Sequence, residues 1–224
     1  MDFKTSQTLY SAARIGKYVH ACSGDKQQAM QLYRYNLRLS QRFFGVLHLF
    51  EVILRNAINN HYSAQLADSD WIINQAASGK LLSDDEDMIK ETESGLRKHG
   101  VYSNDKMVAS FTMGFWTFLF TKKNYKKGGK TLLRIFPNKA KGKNQADVYK
   151  DLTAIREFRN RIAHHEPICF DGNGNISTAF ARRHYQLICE YISYMGQQAD
   201  DVISWAEKPS KFLDAIDNLH LSKL

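Results

Sequence analysis

A single long stretch of helical periodicity constrains the fold of this chain more than any other feature. From Lys26 to about Leu66, apolar residues recur at spacings of three and four, which places them on one face of an α-helix. These residues are Leu32, Tyr35, Leu39, Phe43, Val46, Phe50, Ile53, Leu54, Ala57 and Ile58. A helix of this length reaches about 60 Å, and Gly45 is the natural place for a bend. The pattern favours a bundle of long helices.

The rest of the chain also reads as helix. Further helices are predicted over residues 7–19, 83–99, 104–120, 145–164, 177–206 and 210–219. Ser83 to Glu86 matches a capping box, Asn104 or Asp105 is expected to cap the next helix, and residues 171–175 form a turn. Residues 68–79, which include Trp71, are predicted to form an irregular connector. Only 3 prolines and 13 glycines punctuate the 224 residues, too few for an all-β protein. We therefore predict an all-α bundle forming one domain over residues 1–224, with residues 71–143 inserted between its long helices.

Composition excludes several classes of protein. With 43% hydrophobic and 24% charged residues, the chain is not intrinsically disordered. Its 3 cysteines are widely spaced, which argues against a disulfide framework or a zinc ribbon, and we expect neither metal nor cofactor. The N-terminus lacks the apolar core of a signal peptide. The most apolar stretch, residues 108–120, is too short to span a bilayer. We expect a cytoplasmic protein without membrane association.

The positive charge is concentrated in one segment, residues 122–143, which we call the basic segment. It contains no acidic residue, and outside it 22 basic side chains face 23 acidic ones, so the net charge of +8 comes entirely from this segment. Its cations are Lys122, Lys123, Lys126, Lys127, Lys130, Arg134, Lys139, Lys141 and Lys143. Such a patch suits binding to an RNA backbone, with Tyr125 as a candidate for base stacking. We predict that the segment is a loop broken at Pro137, with a short helix through Leu132, Leu133 and Ile135. The alternative to RNA binding is a solvated loop that only keeps the protein in solution.

The stretch from Arg156 to Pro167 crowds titratable groups at the end of a predicted helix. Asn160 and His164 are four residues apart and share a face, and Arg161 and His165 form a second such pair about 100° away. Arg159 and His164, five apart, lie about 140° apart on an ideal helix, so they converge only if the long arginine reaches round the helix, the last turn distorts or a second chain contributes. The simplest alternative is an ordinary helix end, where basic residues are favoured by the helix dipole. A zinc site of His164, His165 and Glu166 is disfavoured because adjacent helical residues diverge.

The same residues resemble a known family. Arg159-Asn160-x-x-x-His164 fits the R-N-x-x-x-H motif of HEPN domains, and the string RNRIAHHEPI is similar to the Abi-like, or abortive infection, branch of that superfamily. Two further stretches resemble the same branch: Phe50–Ile58, and Gly114-Phe115-Trp116 with the later Phe136-Pro137. The resemblance extends from about residue 30 to about residue 170.

This resemblance implies a helical bundle that forms a homodimer, with the two motifs facing each other, and a metal-independent endoribonuclease acting in toxins or phage defence. Carried over by position, the catalytic residues are Arg159, Asn160 and His164. Supporting roles fall to Glu51, Arg55, Arg161, His165 and Glu166. Glu51 either orients Arg159 or His164, or forms an intrahelical salt bridge with Arg55.

The expected partners are RNA, as substrate or regulator, and a neutralising antitoxin that is either protein or RNA. Two other functions stay open at this point. The first is a module of the same fold that binds RNA without cutting it, and the second is nucleotide transfer. The sequence contains no glycine-rich phosphate loop, which counts against the second.

Overall fold

The structure is a computed structural model that describes the backbone of Asp2–Leu221 and the side chains as far as Leu219. Within these residues the chain forms twelve α-helices and two 3₁₀ helices, Ser83–Asp85 and Leu132–Ile135. The α-helices are α1 (Phe3–Tyr10), α2 (Ala12–Ala21), α3 (Lys26–Leu66), α4 (Trp71–Asn74), α5 (Glu86–Lys98), α6 (Asn104–Ser110), α7 (Met113–Phe118), α8 (Lys122–Lys127), α9 (Gln145–Ala163), α10 (Ala179–Tyr194), α11 (Ala199–Ile203) and α12 (Ser210–Leu221). The only β-type pairing described is an isolated bridge between Phe170 and Ile176. The all-α prediction is confirmed.

The longest helix was predicted to the residue. Asp25 caps α3, because its Oδ1 accepts a hydrogen bond of 3.0 Å from the Gln28 N–H. The helix continues without interruption through Gly45. A Cβ at this position would lie only 3.2 Å from the Cβ of Ala206. Gly45 therefore permits a close approach of backbone to side chain, which is a different role from the predicted bend.

Several predicted helices are divided. The helix predicted over residues 7–19 breaks at Ser11, which has a φ of 68° and whose hydroxyl caps α2 by accepting from the Arg14 N–H. The helix predicted over residues 177–206 breaks near Gly196, whose φ is 81°. Conversely, the predicted connector after Asp68 contains α4, which buries Trp71 completely. The two breaks occur where a single residue leaves the helical conformation, although the apolar periodicity continues across them.

Two predicted caps were wrong. Ser83 forms no capping box, because its hydroxyl donates to the Lys80 carbonyl at 3.0 Å and α5 begins only at Glu86. Ser103, one residue earlier than expected, caps α6 by accepting from the Lys106 N–H at 3.1 Å. The helix predicted to continue through residue 120 ends at Ser110, and Thr112 then precedes the separate α7.

The chain divides into two compact units. The first unit contains the described residues up to His48, Glu157–Ile188 and those from Asp200 onward. Its core joins α3, α9 and α10: Phe43 packs edge-on against Phe158 with ring centroids 4.9 Å apart, and Phe158 stacks on His184 at 4.6 Å. Further along α9, Arg161 reaches Phe180, which precedes His184 on α10. The contacts advance along one helix while they retreat along the other, so α9 and α10 are antiparallel.

The second unit contains Leu49–Arg156 and Cys189–Ala199, and thus includes the whole of residues 71–143. Aromatic side chains dominate its core. Phe111 and Phe115 stack at 4.2 Å, and Trp116, with no exposed surface, meets Phe115 edge-on. All three residues are buried, so they belong to the core and offer no surface for base stacking. None of the helices described for this chain has the length and apolarity needed to cross a membrane.

Candidate functional site

The predicted motif lies at the C-terminal end of α9, where the chain turns sharply out of the helix. The His164 N–H still donates to the Asn160 carbonyl at 2.9 Å, as in a regular turn. The next two N–H groups depart from this pattern: His165 donates to the Ile162 carbonyl, three residues back, at 3.0 Å, and Glu166 donates to the Arg161 carbonyl, five residues back, at 2.9 Å. This is a Schellman motif, in which the residue after the cap adopts a left-handed conformation. Here that residue is His165, with a φ of 58° where glycine is usual.

The turn changes the pairing expected from an ideal helix. Because His165 leaves the helix, it does not lie above Arg161, and the prediction of a shared face for these two residues was wrong. Arg161 instead serves the turn: its Nε donates to the Pro167 carbonyl at 3.1 Å and lies 3.5 Å from Glu166 Oε2. Its guanidinium also lies 5.2 Å from the ring centre of Phe180, a cation–π contact. Arg161 therefore acts as a clamp on the residues that follow the motif.

Two residues that the sequence analysis did not select also hold this turn. Arg14 on α2 donates from Nη1 to the His165 carbonyl at 2.9 Å. Asn36 on α3, which is 7% exposed, accepts the Ile168 N–H on its Oδ1 at 2.9 Å. Asn36 had a visible signal, since it is a polar residue between Leu32 and Leu39 on the apolar face of α3. Arg14 had none, because nothing in the sequence relates residue 14 to residue 165.

The side chains of the motif differ in exposure. Asn160, His164, His165 and Glu166 are exposed, and Arg159 is half-buried. Within the described part of the chain no side chain hydrogen-bonds to the imidazole of His164. An exposed imidazole at a fixed helix end can exchange protons with a bound substrate, and a guanidinium can contact the phosphate of that substrate. This end of α9 therefore combines an accessible acid–base group with a cation.

Below this surface, His184 belongs to the core and not to the exposed group. Its Nδ1–H donates to the Phe180 carbonyl at 2.7 Å, and its ring packs against Phe158 and Phe180, which also contact each other. Burial lowers the pKa of His184. The imidazole is therefore neutral at neutral pH and serves to pack α10 against α9.

The two predicted supporting residues on α3 lie in the second unit. Glu51 and Arg55 are both half-buried. Arg55 has no ion-pair partner among the residues described, so the predicted intrahelical salt bridge with Glu51 is not formed. The Nε of Arg55 is buried without a hydrogen-bond partner. A role for Glu51 in orienting Arg159 or His164 stays a prediction.

Three cations of the basic segment are paired within the second unit. Lys123 and Lys127 both turn towards Asp84: Lys123 forms an ion pair with Oδ2, and the Lys127 Nζ lies 3.8 Å from Oδ1. Lys127 also donates to the Ser83 hydroxyl at 3.0 Å. The hydrogen bond from Lys123 holds the pKa of Asp84 below its usual range. These two lysines are thus partly neutralised by protein groups.

The third paired cation is Lys143, the last residue of the basic segment. The Lys143 Nζ lies 2.7 Å from Asp151 Oδ2, and it sits 5.1 Å from the ring centres of both Tyr191 and Tyr194. The buried Tyr191 hydroxyl donates to the same Asp151 oxygen at 2.9 Å. Only 16% of the Lys143 side chain is exposed. Lys143 therefore fastens the segment to α9 and α10.

The other six cations have no ion-pair partner among the described residues. They are Lys122, Lys126, Lys130, Arg134, Lys139 and Lys141. All are exposed except Lys139, which is half-buried. The prediction of a loop from residue 122 was wrong for Lys122–Lys127, which form α8, whereas the predicted short helix around Leu132 is present as a 3₁₀ turn.

A polar network anchors the turn between α8 and this 3₁₀ helix. The Thr131 hydroxyl donates to Gln65 Oε1 and contacts His61 Nε2 at 2.9 Å, and Gln65 Nε2 donates to the Gly128 carbonyl at 3.3 Å. Tyr125, the predicted stacking residue, is half-buried and donates its hydroxyl to the Lys130 carbonyl at 2.7 Å. Tyr125 thus supports the turn, and its ring is only partly accessible.

The described residues contain no group of three or more His, Cys, Asp or Glu side chains arranged to hold a metal ion. The three cysteines are free thiols, and Cys22 and Cys169 are buried. Burial raises the pKa of the Cys169 thiol to about 12, so this sulfur is protonated at neutral pH and is a poor nucleophile.

Comparison of the chain with models of known protein families, with curated proteins and with solved structures found no match in any of the three. The resemblance to the HEPN superfamily therefore rests on the motif residues and their order alone.

Proposed function

We propose that this protein is a metal-independent endoribonuclease of the HEPN type, acting as a toxin or phage-defence effector. The observation that carries the proposal is the end of α9, where the Arg159-Asn160-x-x-x-His164 spacing coincides with a rigid helix terminus and an exposed imidazole. An ordinary helix end needs neither this spacing nor two additional side chains, Arg14 and Arg161, that fix the residues following it.

The chemistry needs only groups that RNA and this motif supply. RNA carries its own nucleophile, the 2′-hydroxyl next to each phosphodiester. A base must remove the proton of this hydroxyl, an acid must protonate the departing 5′-oxygen, and a cation must stabilise the extra charge on the phosphorane. In the proposal His164 performs a proton transfer and Arg159 contacts the phosphorane. Asn160 supports them one turn below His164. The products are a 2′,3′-cyclic phosphate and a 5′-hydroxyl.

A homodimer completes this scheme. One histidine cannot easily act as base and acid in the same step, whereas two-fold symmetry brings a second His164 to the site. The 140° between Arg159 and His164 on one helix gives the same expectation, because the two side chains of one chain point apart. The proposal therefore places the reacting phosphate between two copies of α9.

A second candidate is a module that binds RNA without cutting it, for example in a toxin–antitoxin or defence complex. It is favoured by the six cations of the basic segment that have no ion-pair partner in the described chain. Binding and cleavage are separable experimentally, since DNA lacks the 2′-hydroxyl.

The test uses the purified full-length protein, the variant His164→Ala and the control variant His99→Ala. His99 is an exposed histidine at the end of α5, outside the motif. Each protein is incubated with total RNA in excess EDTA, and the product ends are identified. We expect cyclic phosphate ends from the wild type and His99→Ala, and no cleavage by His164→Ala.

Cleavage by all three proteins would refute the assignment of His164. Cleavage that disappears with EDTA would refute the metal-independent reaction. No cleavage by any of them, with tight binding of RNA, would favour the binding module.

A further inference from the structure

We infer that the basic segment contains two functionally different sets of cations, and that Lys122, Lys126, Lys130 and Arg134 form a surface that binds the phosphodiester backbone of nucleic acid. In this division Lys123, Lys127 and Lys143 hold the fold of the second unit. The inference concerns binding alone and does not depend on the proposed cleavage. It also assigns different roles to lysines that look equivalent in the sequence.

The division is clearest on α8. Lys123 and Lys127 are four residues apart and share the face that turns towards Asp84. Lys122 and Lys126 are also four apart, and they share a face about 100° away, where both are exposed. The two faces carry the same residue type at the same spacing. They differ only in the presence of an anionic partner.

Two more exposed cations, Lys130 and Arg134, follow the end of α8. The turn after the helix is tightly built: the Lys130 N–H donates to the Tyr125 carbonyl at 2.9 Å, and the Tyr125 hydroxyl returns to the Lys130 carbonyl. Lys130 is held with a φ of 59°, a left-handed conformation that a lysine rarely adopts. Arg134 follows in the 3₁₀ helix Leu132–Ile135, where its N–H donates to the Thr131 carbonyl at 2.9 Å. These cations are therefore presented on a fixed backbone and not on a mobile loop.

The chemistry of this surface favours a nucleic-acid backbone over other anionic partners. An amphipathic helix that binds a membrane needs exposed apolar side chains beside its lysines. On α8 the only residues other than lysine are Asn124, which is buried, and Tyr125, whose hydroxyl is engaged. An acidic protein would require a matching constellation of carboxylates, whereas a row of mostly lysine point charges suits a regular line of phosphates.

The test measures binding of the full-length protein to a 2′-O-methyl oligonucleotide, which cannot be cut by attack of its own 2′-hydroxyl, and to DNA of the same sequence. Affinity is followed as a function of salt concentration for three variants. Lys122→Gln/Lys126→Gln removes two cations from the exposed face, and Lys123→Gln/Lys127→Gln removes two from the paired face. Asp84→Asn removes the carboxylate that pairs with Lys123 and Lys127. The two double variants have the same net charge, so they separate position from overall charge.

We expect Lys122→Gln/Lys126→Gln to reduce the slope of log K against log salt by about 1.4, since each lost phosphate contact contributes about 0.7 for single strands. The drop in affinity between about 50 and about 200 mM salt then becomes about 7-fold smaller. Lys123→Gln/Lys127→Gln should change the slope by less than half as much, and Asp84→Asn should increase it. Circular dichroism verifies that each variant is folded.

Equal slopes for the two double variants would overturn the division of the segment. An unchanged slope in all variants, or no binding of either oligonucleotide by the wild type, would overturn the nucleic-acid surface altogether. Binding to anionic vesicles with the same dependence on Lys122 and Lys126, in the absence of oligonucleotide binding, would assign the surface to a membrane and contradict the inference.

Discussion

Arg161 offers the sharpest test of the geometry at the end of α9, because the sequence suggests a role in chemistry and its contacts indicate a role in stability. Replacing it by alanine removes three interactions at once: the hydrogen bond to the Pro167 carbonyl, the pairing with Glu166 and the contact with the Phe180 ring. We expect the free energy of unfolding to fall by about 2 kcal/mol, most of it from the hydrogen bond.

The magnitude follows from the exposure of each contact. A hydrogen bond from a charged donor to a partly buried carbonyl contributes about 1.5–3 kcal/mol. A cation–π contact at this exposure adds about 0.5–1 kcal/mol. The Glu166 carboxylate is 57% exposed and 3.5 Å away, so its contribution is close to zero. One guanidinium makes all three contacts, and the sum is therefore less than additive.

The assay is denaturant unfolding of wild type, Arg161→Ala, Arg161→Lys and Arg183→Ala. Arg183 is an exposed arginine on α10 without an ion-pair partner among the described residues, and its removal should change stability by less than about 0.5 kcal/mol. Lysine keeps the charge but cannot place a donor where Nε stands, so it should recover less than half of the loss. If Arg161→Ala is as stable as Arg183→Ala, the clamp contributes nothing and the reasoning is wrong.

Three further predictions address stability. Gly128→Ala should lower the free energy of unfolding by about 1–3 kcal/mol, because the new Cβ would overlap the buried Tyr62 hydroxyl and lie 3.1 Å from the Tyr62 Cζ. Its control is Gly172→Ala, whose Cβ meets no atom within 4 Å and which should be nearly neutral in the same unfolding assay. His165→Gly should raise the free energy of unfolding by up to about 1 kcal/mol, because glycine adopts the left-handed conformation without strain, and His165→Val should lower it. A change in the same direction for both variants would contradict the backbone explanation. Because burial lowers the pKa of His184 below its ordinary 6.5, the unfolded chain binds more protons below about pH 6.5, and stability should fall there by at most about 1.4 kcal/mol per pH unit. His184→Gln should weaken this dependence between about pH 7.5 and about pH 5.5, and an identical pH dependence in both proteins would show that His184 is not its source.

Much of the fold was predictable because it depends on local periodicity. The bounds of α3 follow from its apolar spacing and from the Asp25 cap, and α9 was predicted to within one residue at its C-terminus. The errors fall where a single backbone angle decides the outcome. Ser11 and Gly196 both have positive φ angles, and each divides a stretch whose apolar pattern continues across the break. Periodicity reports which side of a helix is buried and is insensitive to such interruptions.

The candidate site was predictable in composition and only partly in arrangement. The sequence identified the Arg159-to-His164 spacing and its place at a helix end. From the sequence, residues 161 and 165 were expected to be neighbours on one helical face. The Schellman turn separates them, and Arg161 contacts Pro167 and Glu166 instead. A left-handed histidine was not predictable, because glycine or asparagine is the usual signal for that turn.

The basic segment shows the difference between the two levels most clearly. The sequence alone determined that all of the net positive charge lies in residues 122–143 and that α3 is one long helix, since charge and apolar spacing are properties of neighbouring residues. The tertiary structure alone decided which lysines of α8 are paired, because Asp84 lies 39 residues before Lys123 in the sequence. It also brought Arg14 to the His165 carbonyl across 151 residues. Contacts of this kind depend on how helices pack, and no local pattern of side chains encodes the partner.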